Sequence, residues 1–320
     1  MKVLNFGSMN IDNVYYLDRF VQPGETKDVR KLEVNPGGKG LNQSIAMRRA
    51  GIDVCHAGIL GKGGNVLKEY LDENEVDVHL VKMDDILQGH AIIQVDEIGE
   101  NCIIVYSGSN GSVDREYIDN VLTQFDHETM LVLQNEISEL EYVVNEAHKR
   151  GMTIVLNPSP LTESLKQIDL NKISWLIMNQ VEAEMMSGCT ETEAILDTFK
   201  VKYPDLNCVL TLGSKGSVCL YEGSIIEQVA FQTKAVDTTG FGDTFAGYFV
   251  AGMSRNKPIQ EVLNDASKAA ALCVSRYGAA PSIPYYKDLG SVNIIQRRKT
   301  MKKFKLILFA DCVITCDCGM

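Results

Sequence analysis

The segment MLVLQNEISELEYVVNEAHKRGMTIVLN, residues 130–157, decides the fold. Its ends, Met130–Gln134 and Thr153–Asn157, are short continuous apolar runs, and Ser138–Arg150 between them carries apolar residues at helical spacing. A strand that is apolar on both faces must be covered on both, and a helical crossover returns the second strand parallel to the first. The same rhythm recurs on either side. Lys2–Phe6, Trp175–Met178 and Cys208–Leu212 read as further strands, and Gly40–Ala50, Gly242–Met253 and Ile259–Arg276 as helices. The expected architecture is α/β, a doubly wound, mostly parallel sheet with helices on both faces.

Two stretches break the rhythm. Residues 13–34 and 89–106 are β-rich with no long helix between their strands, and HAIIQVDEIGENCIIVY (90–106) reads as two strands around a polar turn. They are expected to form a small sheet beside the main one, a lid. Residues 1–290 then make one domain, and residues 291–320 an extension of unassigned role. That extension opens on the basic run QRRKTMKKFK and ends with Cys312, Cys316 and Cys318. Three thiols without a nearby histidine fall short of the zinc patterns built from paired cysteines or Cys/His sets, so a plain extension is the reading.

The chain carries 31 Lys+Arg against 42 Asp+Glu, a net charge of −11, which argues against nucleic acid or an anionic membrane surface as partner. No run approaches the ~20 apolar residues of a spanning helix, and the N-terminus lacks a signal-peptide core. Nine cysteines, an odd number scattered through apolar runs, read as reduced core residues and a cytoplasmic location.

Chemistry concentrates in a few motifs. DTTGFGDTF (237–245) places Gly240, Phe241 and Gly242 before Asp243 at the start of an amphipathic helix. A glycine turn opening a helix offers free backbone N–H groups and the positive end of the dipole to a phosphoryl group. Asp243 is placed to cap that helix and to accept a proton from a substrate hydroxyl. In NPGGKGLNQ (35–43) the glycines around Lys39 let backbone approach a ligand, with Asn42 one turn into the helix. The spacing is neither a Walker A loop nor a dinucleotide fingerprint. Asn10 and Asp12, read as the end of the first strand, point the same way from an extended chain and can fork adjacent hydroxyls. Asn179–Glu182 and TLGSKG (211–216) follow two further strands and converge on the same crevice.

With GSMNID (7–12), GGKGLNQ (37–43), NPSP (157–160), TLGSKG, DTTGFGDTF and RYGAAPSIP (276–284) in this order, the chain resembles the ribokinase-like (PfkB) family of sugar kinases from about residue 3 to 286. The resemblance implies an ATP-dependent phosphotransferase with Asp243 as base beside an anion hole at Gly240–Gly242. It places the sugar against Asn10, Asp12, Gly38, Lys39, Asn42 and Glu136. It places ATP near Asn179, Glu182, Thr211, Leu212, Gly213, Ser214, Lys215, Gly216, Gly242 and Ser267, with Mg2+ organised through Glu182. A potassium ion is implied at Asp237, Thr239, Cys273, Arg276, Gly278 and Ser282, several of them through backbone carbonyls. A homodimer through the lid sheets is also implied. Ribose is the first expected sugar, with deoxyribose, fructose or a nucleoside as alternatives. A non-catalytic sugar sensor is the rival from another class, disfavoured by the intact Asp243 and anion-hole turn. Two departures stand out: Gln180 follows Asn179 where Glu is frequent, and Phe241 occupies the middle of the anion-hole turn, where it is expected to be bulky beside the sugar.

Overall fold

The computed structural model describes residues 1–290 together with Ile295 and Gln296. In chain order the first half comprises β1 (Lys2–Phe6), β2 (Asn10–Tyr16), β3 (Lys31–Gly37), α1 (Lys39–Arg49), β4 (Cys55–Lys62), α2 (Asn65–Glu73), β5 (Asp77–Leu87), β6 (His90–Val95), β7 (Asn101–Tyr106), α3 (Arg115–Leu122) and β8 (Thr129–Gln134). The second half comprises α4 (Leu140–Lys149), β9 (Thr153–Asn157), β10 (Trp175–Asn179), α5 (Gln180–Ser187), α6 (Thr192–Lys202), β11 (Asn207–Thr211), β12 (Ser217–Tyr221), β13 (Ser224–Gln228), β14 (Phe231–Gln232), α7 (Phe241–Ser254), α8 (Ile259–Cys273) and β15 (Ile295–Gln296).

Nine strands form the main sheet in the order β13-β12-β11-β10-β9-β8-β1-β4-β5. From β11 to β5 every neighbouring pair is parallel; β12 and β13 close one edge antiparallel, joined by a tight turn at Glu222–Gly223. Alternation along the strands feeds two cores. Val3, Met130 and Val132 pack with residues of α1, α2, α7 and α8 on one face. Leu4, Phe6, Leu131 and Leu133 pack with α3, α4 and α6 on the other. The expected architecture is therefore present, with helices on both faces.

The winding reverses at β1. The chain leaves it for β4 and β5 on one side and returns at β8 on the other. Such a switch point opens a crevice beyond the carboxyl ends of the strands, where connections part. Residues following β1 and β8 therefore border one cleft.

A separate four-stranded sheet, β3-β2-β6-β7, stands beside this cleft as the lid. Here the sequence reading needs correction. The first strand stops at Phe6, and Asn10 and Asp12 belong to β2, the lid strand paired with both β3 and β6. The chain must turn at Gly7, where a Cβ would lie 2.7 Å from the Gly40 Cα, so α1 packs directly onto that turn. The lid consequently begins at Asn10, and its second strand runs on to Gly37. The reading also passed over β4, β5 and the antiparallel edge. Gly58 and Gly61 punctuate β4, while β5 alternates towards solvent at its exposed end. Helix α8 stops at Cys273 and not Arg276, because Ser275 and Arg276 bond back three residues, to Leu272 and Cys273, in a tightened last turn.

Of the cysteines described, Cys55, Cys208, Cys219 and Cys273 are buried as expected, whereas Cys102 is exposed on β7. Ile295–Gln296 pairs antiparallel with Phe231–Gln232, so the extension begins by adding a strand to the fold. The rest of its basic run and Cys312, Cys316 and Cys318 lie outside the described residues.

Candidate active site

Helix α7 begins at a half-buried end. Gly240 is its N-cap, in the left-handed region at φ 74°, and no side chain caps the helix. Asp243 is therefore the third residue of the first turn and not a cap, contrary to the sequence expectation. The helix opening stays free because Gly240 takes a φ that favours glycine and Gly242 would have nothing within 4 Å of an added Cβ. By contrast, α3 is capped by Asp114 and α5 by Asn179. An uncapped helix N-terminus with space in front of it is an anion site.

Asp243 is buried, and an amide holds each of its oxygens. Asn42 Nδ2 donates to Oδ2 at 3.1 Å and Gln43 Nε2 donates to Oδ1 at 3.0 Å. Both donors come from the first turns of α1, which packs against α7. The Oδ1 of Asn42 is buried without a partner and remains free to accept.

The glycines before α1 let the lid hinge lie against it. A Cβ on Gly37 would fall 2.0 Å from Asp12 Oδ2, so only glycine leaves room for that carboxylate. On the other side, Glu136, just beyond β8, accepts from the Lys39 backbone N–H at 3.1 Å and from the Ser8 hydroxyl. Asn10 Oδ1 accepts from Asn110 Nδ2 at 2.8 Å, and Asn110 Oδ1 accepts from the Met9 N–H at 2.9 Å. Asn10, Asp12, Gly38, Lys39, Asn42 and Glu136 thus meet at one place, although they lie on three separate segments of chain.

Electrostatics mark the same place. Burial lifts the Asp12 carboxyl to about 7, with Glu136 and Asp243 adding to the rise and Lys39 opposing it. Burial also raises Glu136, against the pull of Lys39 and the Ser8 hydrogen bond. For Lys39 burial opposes the charged form, yet Asp243, Glu136, Glu182 and Asp12 outweigh it and hold the ammonium above its ordinary value. Four carboxylates around one ammonium make a cleft that welcomes hydroxyl donors and a cation.

Two cavities meet at the α7 N-terminus. The smaller, about 210 Å³, is lined by Lys39, Asn157, Ser159, Asn179, Glu182, Thr238 and Gly240–Asp243 among others. The larger, about 590 Å³ and mainly apolar, runs past Gly213, Ser214, Gly216, Phe231, Gln232, Thr233, Phe245, Ser267 and Ala271. Thr211, Thr238 and Phe241 line both. Phe241, expected beside the sugar, instead forms the wall shared with the large cavity, because the first turn of α7 aims it that way. Two other residues depart from expectation. Leu212 packs against the core under the sheet, and Lys215 is exposed in its turn; neither lines a cavity. Asn179 and Glu182 form a capping box, the Asn179 Oδ1 accepting from the Glu182 N–H at 2.9 Å and the Glu182 Oε2 from the Asn179 N–H at 3.0 Å.

The six residues expected around a monovalent cation share one loop cluster. Asp237 Oδ1 accepts from the N–H and hydroxyl of Thr239, at 2.8 and 2.7 Å, and Oδ2 from the Gly278 N–H at 2.9 Å. Cys273 Sγ lies 2.9 Å from the Ser282 hydroxyl, and burial raises its thiol, so sulfur is no metal ligand here. The Arg276 guanidinium turns away to Asp288 at 3.8 Å. Asp237, Thr239 and Ser282 bring oxygen to this cluster, the kind of donor that suits a hard cation.

The sequence reading missed Ser8, Gln43 and Asn110. Gln43 lies inside a quoted motif and Ser8 inside another, but Asn110 sits in a GSNGS turn with no signal at all.

Comparison with known proteins agrees with this geometry. Residues 1–285 match the model of the pfkB family of carbohydrate kinases. A ribokinase of Haemophilus influenzae is 31% identical over 287 residues, 87% of this chain and 94% of that protein. A deoxyribokinase of Salmonella typhi is 26% identical over 309 residues, 92% of this chain and 100% of that protein. The structure of an Arabidopsis thaliana ribokinase complexed with ribose and ATP superposes with a TM-score of 0.79 at 29% identity, covering 91% of this chain and 97% of that one.

Proposed function

The chain belongs to the pfkB family of carbohydrate kinases, phosphotransferases with an alcohol group as acceptor, and from that premise we propose that it transfers the γ-phosphate of ATP to the primary hydroxyl of D-ribose. The observation that carries this reading is Asp243 held by two amides beside the uncapped N-terminus of α7. A base and an anion site within one helical turn are what an in-line phosphoryl transfer needs.

In this reading the adenosine part of ATP occupies the large apolar cavity against Phe241 and Ser267. Its phosphates run past Thr211 and Asn179 towards Lys39. The sugar lies between Asp12, Asn42 and Glu136. Asp243 orients the attacking hydroxyl and takes its proton, while the first N–H groups of α7 meet the charge on the γ-oxygens. The Lys39 ammonium supplies a further positive charge. Mg2+, held beside Glu182, would offset the repulsion between the nucleotide and four carboxylates. Potassium, held by the oxygens of the 237–239 and 273–282 loops, would fix the turn before α7 electrostatically. Closure of the lid excludes the water that would otherwise compete as acceptor.

The lid supports a homodimer. On the lid face opposite Asp12, Val34, Ile92 and Ile104 form a row across β3, β6 and β7 interrupted only by Asn13 of β2. Val34 and Ile104 are each 60% exposed. Apolar rows of that kind fit a second lid. Reduced cysteines support a cytoplasmic setting, and no helix among the described residues is long and apolar enough to cross a membrane.

The test is ADP release with Mg-ATP and potassium, over a panel of ribose, 2-deoxyribose, fructose and adenosine. The highest kcat/KM is expected with ribose. A better nucleoside or deoxyribose substrate would reassign the acceptor, and no turnover with any of them would end the kinase reading.

A further inference from the structure

Beneath Asp243 runs a chain of three buried amides, Asn5, Gln134 and Gln43, of which the phosphoryl-transfer reading uses only the last. Asn5 on β1 and Gln134 on β8 occupy the sheet face where their strand-mates Val3, Met130 and Val132 are core residues. Asn5 Nδ2 donates to the Gly40 carbonyl and to the Ser44 hydroxyl, both at 2.7 Å. Asn5 Oδ1 accepts from Gln134 Nε2 at 2.9 Å, and the same Nε2 donates to Gln43 Oε1 at 2.8 Å. Gln43 Nε2 then donates to Asp243 Oδ1 at 3.0 Å.

The direction of this chain is fixed at both ends. The Gly40 carbonyl can only accept, so Asn5 must present its NH2 there and its oxygen to Gln134. Gln134 must then donate, Gln43 must accept from it, and the remaining NH2 of Gln43 faces the carboxylate, which also only accepts. Turning Gln134 over would set oxygen against oxygen at two places, and turning Asn5 or Gln43 over would set oxygen against oxygen at one place and nitrogen against nitrogen at another. The arrangement also leaves Gln134 Oε1 buried without a partner, lodged where a Cβ on Gly7 would come within 2.2 Å. An unpaired buried oxygen is destabilising, a cost that an apolar residue at this position would avoid. Burial presses His56, whose Nδ1 lies 2.8 Å from Ser44 Oγ, down to about 4, so the far end of the network carries no charge.

We propose that Gln43 is a positioning residue for Asp243, its amide held in the donating orientation by Gln134 and Asn5. Amide donors on both oxygens stop the carboxylate from rotating out of line with the hydroxyl it must deprotonate. Gln43 itself is under the base, on the α1 side, buried, and lines neither of the two cavities that meet at the α7 N-terminus. The inference rests on the kinase reading above, so wild-type turnover is the first control.

The experiment is a double-mutant cycle on kcat. Gln134→Glu replaces the donor by an acceptor of the same shape and forces the Gln43 amide to turn its oxygen towards Asp243. A misaligned reacting group can cost about 10²-fold, and a loss of that order in kcat is expected, with KM for ribose and ATP near wild type. Gln43→Met is expected to lower kcat similarly. In the double variant the losses should not multiply, since no amide is left to turn. If Gln134→Glu does not fold, Gln134→Met with Gln43→Met completes the same cycle without a buried carboxylate. Multiplying losses, an effect confined to KM, or near-wild-type kcat in these variants would each overturn the proposal. An inactive wild type would instead overturn the kinase reading.

Discussion

Asn42 Nδ2 donates to Asp243 Oδ2 at 3.1 Å across 201 residues of chain. This contact ties the helix that follows β3 of the lid to the helix with the uncapped N-terminus, so both meet at one carboxylate. The role of Asp243 follows from it. Asp243→Asn keeps the shape but loses the proton acceptor, and loss of a general base costs about 10²–10⁴-fold. Steady-state kinetics should show that fall in kcat with both KM values little changed; a variant within tenfold of wild type would remove Asp243 as base.

Asp12→Ala is expected to harm sugar use far more than nucleotide use. A site built to hydrogen-bond a hydroxyl can discriminate by about 10⁴-fold when the pairing is lost. The measurement is kcat/KM for ribose beside ADP affinity by calorimetry. An unchanged sugar kcat/KM would leave Asp12 as a lid-strand residue only.

Asp12 also makes stability depend on pH. Its folded value of about 7 lies above the reference of 3.8, so between those limits the folded chain keeps a proton that the unfolded chain has lost. Stability then falls as pH rises from about 4 to about 7. Asp12→Asn removes the cost of the buried charge. Its Tm should match wild type near pH 4 and exceed it at pH 8, each kcal/mol recovered raising Tm by about 2–4 °C. A Tm difference independent of pH would contradict the burial of this carboxyl.

Ile104→Glu places a charge in the exposed apolar row of the lid. Sedimentation should show a dimer for wild type and a monomer for the variant, with a raised KM for ribose. A wild-type monomer would remove the lid interface.

Activity is expected to require potassium, with sodium and lithium poor substitutes, because rigid loops of backbone oxygen suit a large, weakly hydrated ion. Titrating each chloride into a potassium-free assay measures this. Cys273→Ala should keep the response, since the thiol faces Ser282 and only the carbonyl is offered. Full activity before any salt is added would end the cation site while leaving the kinase reading in place.

Local chemistry made much of this protein legible in its sequence. Continuous apolar strands separated by helical periods require a parallel sheet covered on both faces, and the glycine turn before Asp243 marks the start of α7, read at Gly242 and found at Phe241. The glycines beside Lys39 likewise announce a close approach. These signals are local, because strand burial, helical period and positive φ are properties of neighbouring residues. Other features had no local signature. Nothing near Asn10 says that β1 ends at Phe6 and a lid strand begins, since an extended chain looks the same in either sheet. Phe241 could be assigned to the wall between the two cavities only once α7 was placed against α8. Gln43 and Gln134 read as ordinary polar residues until α1 packs over β1 and β8 and buries both. Orientation, strand order and buried polar pairing depend on contacts between residues far apart in the sequence, and those exist only in the packed chain.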